Sequence, residues 1–280
     1  MNKLGAVSGI LVALVWMSMP AFADETLLPG DKLVVEIPLD KREIRWIKSS
    51  GLSGYKMAKI GIAVPESFNP DTTYPILVTC VTGDRYLNNI DEMDKYWPQS
   101  ISAGWVVVTG WADPHPDRDT KAYRRAVTVA ALRGLKEIIP QSENWAIAVA
   151  GFSGGSKNSA ITAAYLQKEG YRITGLFMGG CNEDLASYAM KKISPDKKAF
   201  RAIPVFLSTG VSDAVSTVED TKSVVNSLSK SGFTKIRMET YPGRHSLNRN
   251  HIPIALDWFK TVEGATGIPA CRVESRRSKD

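Results

Sequence analysis

Histidine and cysteine are both scarce here, with three of each among 280 residues. Cys80, Cys181 and Cys271 are too few and too widely spread for a disulfide framework, and their spacing matches no zinc motif. Cys80 falls in an apolar run that reads as a buried strand. Cys181 and Cys271 leave one disulfide open in an oxidising compartment. His115, His245 and His251 are the only imidazoles, and no His/Asp/Cys cluster has ligand spacing, so neither a metal nor an organic cofactor is expected. Internal repeats, low-complexity tracts and linkers are also missing, which argues against an array or a string of domains. No basic stripe interleaved with aromatics is present, so a nucleic-acid partner is not expected. The net charge of +6 sits partly in the last residues, at Arg272, Arg276, Arg277 and Lys279, which read as a frayed, solvated tail. Beyond residue 23 no apolar run approaches the ~20 residues that a membrane-spanning helix needs.

What is present is ordinary globular composition, 44% hydrophobic and 23% charged, over a length that can bury one full core. The opening segment stands apart. Lys3 precedes an uncharged apolar run over 5–19, and Pro20-Ala21-Phe22-Ala23 ends in an Ala-x-Ala site before Asp24-Glu25. This predicts a secretory signal peptide over 1–23, cleaved after Ala23, and a secreted or periplasmic protein. Residues 24–280 are expected to form one domain, with the basic tail starting near 270.

Along that domain, apolar runs alternate with helical patterns. Segments 33–39 and 55–64 read as two antiparallel opening strands, and 74–81 and 104–110 as buried ones. A helical pattern over 88–102 separates the latter two. A long amphipathic helix is predicted over 119–139 and stopped by Pro140. Further strands are expected at 173–178, 203–209 and 235–241, and further helices at 185–193 and 252–262. Between them, Ser216 with Glu219 reads as a capping box that opens a helix ending at Gly232. Strands alternating with helices at this spacing predict a mostly parallel sheet covered on both faces.

One stretch organises the rest. Trp145 to Ala150 is uninterruptedly apolar and reads as a strand buried on both faces. Gly151-Phe152-Ser153-Gly154-Gly155 follows, and then a helical pattern closed by Gly170. A serine on a sharp strand-to-helix turn is thrust off the carboxyl end of the sheet, above a helix N-terminus that favours developing negative charge. Such a hydroxyl needs a base, the base needs an orienting acid, and an oxyanion needs donors. His245, just past the last strand on Tyr241-Pro242-Gly243-Arg244, is the candidate base. Asp213, on Gly210-Val211-Ser212 after another strand, is the candidate acid. Glu219 and Asp220 are accounted for by the first turn of the following helix.

The order Ser153, Asp213, His245, each just after a strand, resembles the α/β-hydrolase superfamily. Within it the chain is similar to compact secreted esterases of the carboxylesterase, feruloyl-esterase and polyhydroxyalkanoate-depolymerase kind. The resemblance implies a central sheet of about eight strands and a serine hydrolase acting on small or polymeric carboxylic esters. It also implies an oxyanion hole formed by the N–H of Gly154 and one from the loop after the third strand, here that of Thr82. Such esterases often carry His-Gly-x-Gly in this loop, whereas this chain reads Cys80-Val81-Thr82-Gly83. Two other readings stay open: a peptidase using the same triad, and a catalytically silent binding protein on the same fold. The short interval between 178 and 203 leaves no room for a large cap. Tyr86, Trp111 and His115, on loops after the third and fourth strands, are expected to line the pocket.

Overall fold

The computed structural model describes residues 27–82, 89–111 and 121–264. The expected signal peptide, Tyr86, His115, Cys271 and the basic tail lie outside these. Within them, an eight-stranded sheet runs in the order β1-β2-β4-β3-β5-β6-β7-β8. The strands are β1 (Lys32–Pro38), β2 (Met57–Ala63), β3 (Ile76–Cys80), β4 (Val106–Trp111), β5 (Ile147–Phe152), β6 (Ile173–Gly179), β7 (Val205–Gly210) and β8 (Ile236–Tyr241). Strand β2 is antiparallel to both β1 and β4, and every pairing from β4 to β8 is parallel. The parallel stretch therefore ends all its strands at one edge, where the loops carrying Thr82, Ser153, Asp213 and His245 emerge.

The central strands are buried along almost their whole length, because helices cover both sides. On one side pack α1 (Lys41–Ser49), α4 (Lys121–Ile138), α5 (Gly154–Lys168), α6 (Leu185–Lys192), α7 (Lys197–Arg201) and α8 (Val218–Lys230), through residues such as Ile47, Val127, Leu135, Ala163, Phe200 and Leu228. The other side is covered by α2 (Asn89–Met93), α3 (Trp97–Ser102) and α9 (His251–Gly264). There Met93, Tyr96, Trp105, Leu256 and Phe259 form a second core. No helix among the described residues is long and apolar enough to cross a membrane.

The structure departs from the sequence pattern in several places, among them a short helix at Lys197–Arg201 where none was expected. Residues 41–49 form a helix rather than a connection. Asp40 accepts from the Glu43 N–H while the Glu43 carboxylate accepts from the Asp40 N–H, and the buried Glu43 also meets Arg133 at 3.0 Å. The pattern over 88–102 is broken into α2 and α3, with Pro98 in the first turn of the second. A proline is tolerated there and not within a continuing helix, because it has no N–H to give. The capping box of α8 is one residue later than expected. Thr217, not Ser216, is the cap and pairs with Asp220. Ser216 is turned inward instead, its hydroxyl donating to the Gly180 carbonyl at 2.7 Å and its N–H to Asp213 at 2.8 Å.

Candidate active site

The turn after β5 explains its own glycines. A Cβ on Gly151 would lie 2.1 Å from the Gly155 carbonyl oxygen, and one on Gly155 would lie 2.4 Å from the Cys80 carbonyl oxygen. Both obstacles are backbone, so no side chain fits at either place. Between them Ser153 holds φ 55° and ψ −123°, a positive-φ conformation that a residue with a side chain rarely adopts. Such strain costs on the order of 1–3 kcal/mol and persists only where the surroundings enforce it. Here the Ser153 N–H donates to the Gly179 carbonyl at 2.8 Å. Its own carbonyl accepts from the Ser156 N–H at 3.0 Å and the Ser156 hydroxyl at 2.5 Å. Ser153 is thereby held at the head of the 15-residue α5 with its side chain partly exposed.

The structure brings Ser153, His245 and Asp213 together. His245 Nε2 lies 2.9 Å from Ser153 Oγ, and His245 Nδ1 lies 2.8 Å from Asp213 Oδ2. The other carboxylate oxygen, Oδ1, accepts the Val215 and Ser216 N–H groups at 2.8 Å each. Burial of Asp213 would by itself raise its pKa. The Ser216 N–H, the His245 ring and the Val215 N–H together outweigh that, and the carboxyl is held below its ordinary value. An ionised Asp213 accepts a hydrogen bond from Nδ1–H, which leaves Nε2 of the neutral ring as an acceptor facing the serine hydroxyl. The imidazole also leans on Phe152, ring centroids 4.8 Å apart.

The acid and base loops are joined to each other. The Val211 N–H donates to the Tyr241 carbonyl and the Ser212 N–H to the Gly243 carbonyl, both at 2.9 Å. Gly210 lies so near the Gly243 and Arg244 carbonyls that a Cβ would come within 2.4 and 2.7 Å of them. The Tyr241 hydroxyl donates to the carbonyl of Ser246, the residue after His245. This anchor has no local sequence signature, since a tyrosine ending a strand is commonplace.

The candidate oxyanion donors lie side by side. A Cβ on Gly154 would sit 2.8 Å from Thr82 Cγ2 and 3.5 Å from Thr82 Cα. The Thr82 hydroxyl donates to the Phe152 carbonyl at 3.2 Å and accepts from the Gly155 N–H at 3.3 Å, so the two loops are stitched together. Cys80, at the end of β3, is buried, and burial pushes its thiol up to about 11 despite a contact with Thr162 at 3.6 Å. It is packing, not a nucleophile. Cys181 is likewise a buried thiol, 3.2 Å from the Glu183 carbonyl.

Two further side chains lie in surroundings unlike those of the triad. His251 begins α9 in a buried setting, its Nδ1 2.9 Å from Ser208 Oγ and its ring against Phe206 and Tyr241. Trp111 ends β4, two strands from β5. Its ring lies 4.9 Å from the Lys59 ammonium and its indole nitrogen is buried without a partner. Among the described residues it makes no ring contact or hydrogen bond with Ser153, Asp213 or His245. No group of three His, Cys, Asp or Glu side chains among the described residues could hold a metal ion.

No family model matches the chain, and no curated protein matches it. Solved structures do. A fungal esterase from Rhizomucor miehei aligns over 84% of this chain and 84% of its own, at 14% identity and a TM-score of 0.59. Esterase B from Lactobacillus rhamnosis, inhibited by a tributyrin phosphonate, aligns over 87% of this chain and 90% of its own, at 15% identity and a TM-score of 0.55. The chain spans only 36% of the length of two larger Bacteroides structures. One is a bifunctional GH43-CE protein from Bacteroides eggerthii, matched over 73% of this chain at 15% identity and a TM-score of 0.54. The fold is that of the α/β-hydrolases. Identities this low speak for the fold, and the reaction has to be argued from the site.

Proposed function

We propose that this chain is a secreted serine hydrolase that cleaves carboxylic esters through an acyl-enzyme on Ser153. The observation that carries the reading is the hydrogen-bonded series Ser153–His245–Asp213, assembled from three loops far apart in the chain. In this reading His245 Nε2 takes the proton of Ser153 Oγ as the oxygen attacks the ester carbonyl. The imidazolium so formed is stabilised by Asp213, which keeps its charge throughout. The tetrahedral oxyanion is met by the N–H groups of Gly154 and Thr82, at the positive end of α5. Collapse expels the alcohol, which takes its proton from His245. Water, activated by the same imidazole, then releases the acid and restores Ser153.

Two structural features support an accessible site. Ser153 and His245 are both partly exposed, and between β6 and β7 the chain builds only the short α6 and α7. A small ester or the chain of a polyester fits such a site. Tyr86 and His115 are proposed from the sequence as pocket-lining residues, and the leader pattern over 1–23 supports export.

The test is labelling by a fluorophosphonate, which phosphonylates an activated serine, followed by turnover of p-nitrophenyl acetate and of peptide p-nitroanilides. Ser153→Ala should stay folded, lose the label and lose ester turnover. A wild-type protein that is not labelled would be a binding module. One that is labelled but turns over only the anilides would be a peptidase. Retention of most ester turnover in Ser153→Ala would exclude the mechanism.

A further inference from the structure

The loop after β3 has Val81 where such esterases often carry the first glycine of His-Gly-x-Gly, and places a β-branched residue, Thr82, at the donor position. Its geometry is fixed from below. The Val81 carbonyl oxygen accepts from Arg124 Nη1 at 2.8 Å and from Asn158 Nδ2 at 2.9 Å, and Arg124 Nη2 reaches the Thr82 carbonyl at 3.4 Å. A peptide unit is planar, and every peptide bond among the described residues is trans, so C=O and N–H of one unit point in opposite directions. Holding the Val81 oxygen with two donors therefore sets the direction of the Thr82 N–H, away from Arg124 and Asn158. Neither the Thr82 N–H nor the Gly154 N–H donates to an acceptor among the described residues. Asn158 belongs to α5, the helix that carries Ser153 at its head and Gly154 as its first residue. Arg124 belongs to α4.

From this we infer that Asn158, with Arg124, is a positioning residue for the oxyanion hole. It ties the second donor, on the β3 loop, to the same helix that presents the nucleophile and the first donor. The inference rests on the serine-hydrolase reading. It adds that where Val81 stands in place of a glycine, a side-chain clamp holds its carbonyl. Asn158 touches neither the attacking oxygen nor His245. Its effect passes through the Val81–Thr82 peptide alone.

The experiment compares wild type, Asn158→Ala and Asn158→Asp in p-nitrophenyl acetate hydrolysis. Ser153→Ala is the control, and the downfield proton resonance of the His245–Asp213 hydrogen bond is the internal marker. Alanine is the better helix former, so the first variant keeps α5 intact. Aspartate keeps the shape of asparagine but offers the carbonyl no donor. Removing an oxyanion donor outright costs about 10²–10³ in kcat, and a misaimed one should cost less, about 10- to 100-fold. Both variants should show that loss in kcat with KM within about twofold. Fluorophosphonate labelling should slow in proportion, and the His245 resonance should be unchanged. A variant of either kind with kcat within about twofold of wild type would overturn the inference. So would a loss in kcat accompanied by disappearance of the resonance, since the effect would then be on the triad or the fold. Turnover retained by Ser153→Ala would instead sink the underlying mechanism, whatever the Asn158 variants do.

Discussion

Replacing Asp213 by asparagine is the perturbation whose outcome the structure constrains most tightly. The new amide has two orientations. With its oxygen in place of Oδ1, it keeps the Val215 and Ser216 N–H bonds, each 2.8 Å in the native protein. With its nitrogen there, it would set an NH₂ group against two N–H donors and leave the buried Ser216 N–H without an acceptor, at about 1–3 kcal/mol for that group alone. The first orientation therefore prevails. The NH₂ group then occupies the place of Oδ2, 2.8 Å from His245 Nδ1. It donates where the carboxylate accepted. His245 must turn Nδ1 into the acceptor and carry its proton on Nε2, which faces Ser153 Oγ at 2.9 Å. Serine and histidine would then confront each other proton to proton, with no base. A substitution of this kind in a Ser-His-Asp triad typically lowers kcat about 10³- to 10⁴-fold, or about 4–5.5 kcal/mol of barrier at about 1.36 kcal/mol per decade. Initial rates on p-nitrophenyl acetate, with KM measured separately, read the effect directly. Loss of the downfield His245 proton resonance should accompany it. An Asp213→Asn protein retaining more than about a tenth of wild-type kcat would refute the tautomer argument.

The same carboxylate predicts a pH dependence of stability. Its folded pKa is lowered, so the unfolded chain binds its proton first as acid is added. The stabilisation is complete above the unfolded value of about 3.9 and is lost as pH falls through the folded one. Urea titrations from about pH 3 to 7 should show wild type losing this increment at the acid end, and Asp213→Asn should lack it. A second expectation concerns packing. Gly155→Ala would force a methyl group to 2.4 Å from the Cys80 carbonyl oxygen and 3.2 Å from the Val81 carbonyl carbon. Because both atoms are backbone, the cost should reach about 3 kcal/mol or more, read as a lower urea midpoint at unchanged slope. A midpoint equal to wild type would show that the turn can relax without loss.

Strands and nucleophile turn were legible because their physics is local. An apolar run buried on both faces has few alternatives in composition, and Gly151 and Gly155 sit in one short turn whose tightness the spacing itself announces. The candidate acid and base follow from strand ends, so they needed only the order of elements. Helix 41–49 carries its signal in Asp40 and Glu43, but its apolar face is thin and the Ser49-Ser50-Gly51 turn dominates the local pattern. The one-residue slip at Thr217 arises because Ser216 and Thr217 are equally good caps in isolation. What separates them is the carbonyl of Gly180, 36 residues away, which takes the Ser216 hydroxyl. Asn158 and Tyr241 lie beyond local reading altogether. Each acts on a backbone carbonyl of another loop or turn, and nothing in its neighbours marks it.

Because the segments after β7 and β8 are bonded along their backbones, Asp213 and His245 form one mechanical unit, while Ser153 belongs to another that is rooted in β5 and α5. Breathing along this edge of the sheet would carry the acid–base couple as a body and stretch its reach to the hydroxyl. Thermal wear on activity should thus show itself first in the distance between imidazole and serine. Under the proposed mechanism turnover would fall, with the Asp213–His245 hydrogen bond intact, well before the fold melts.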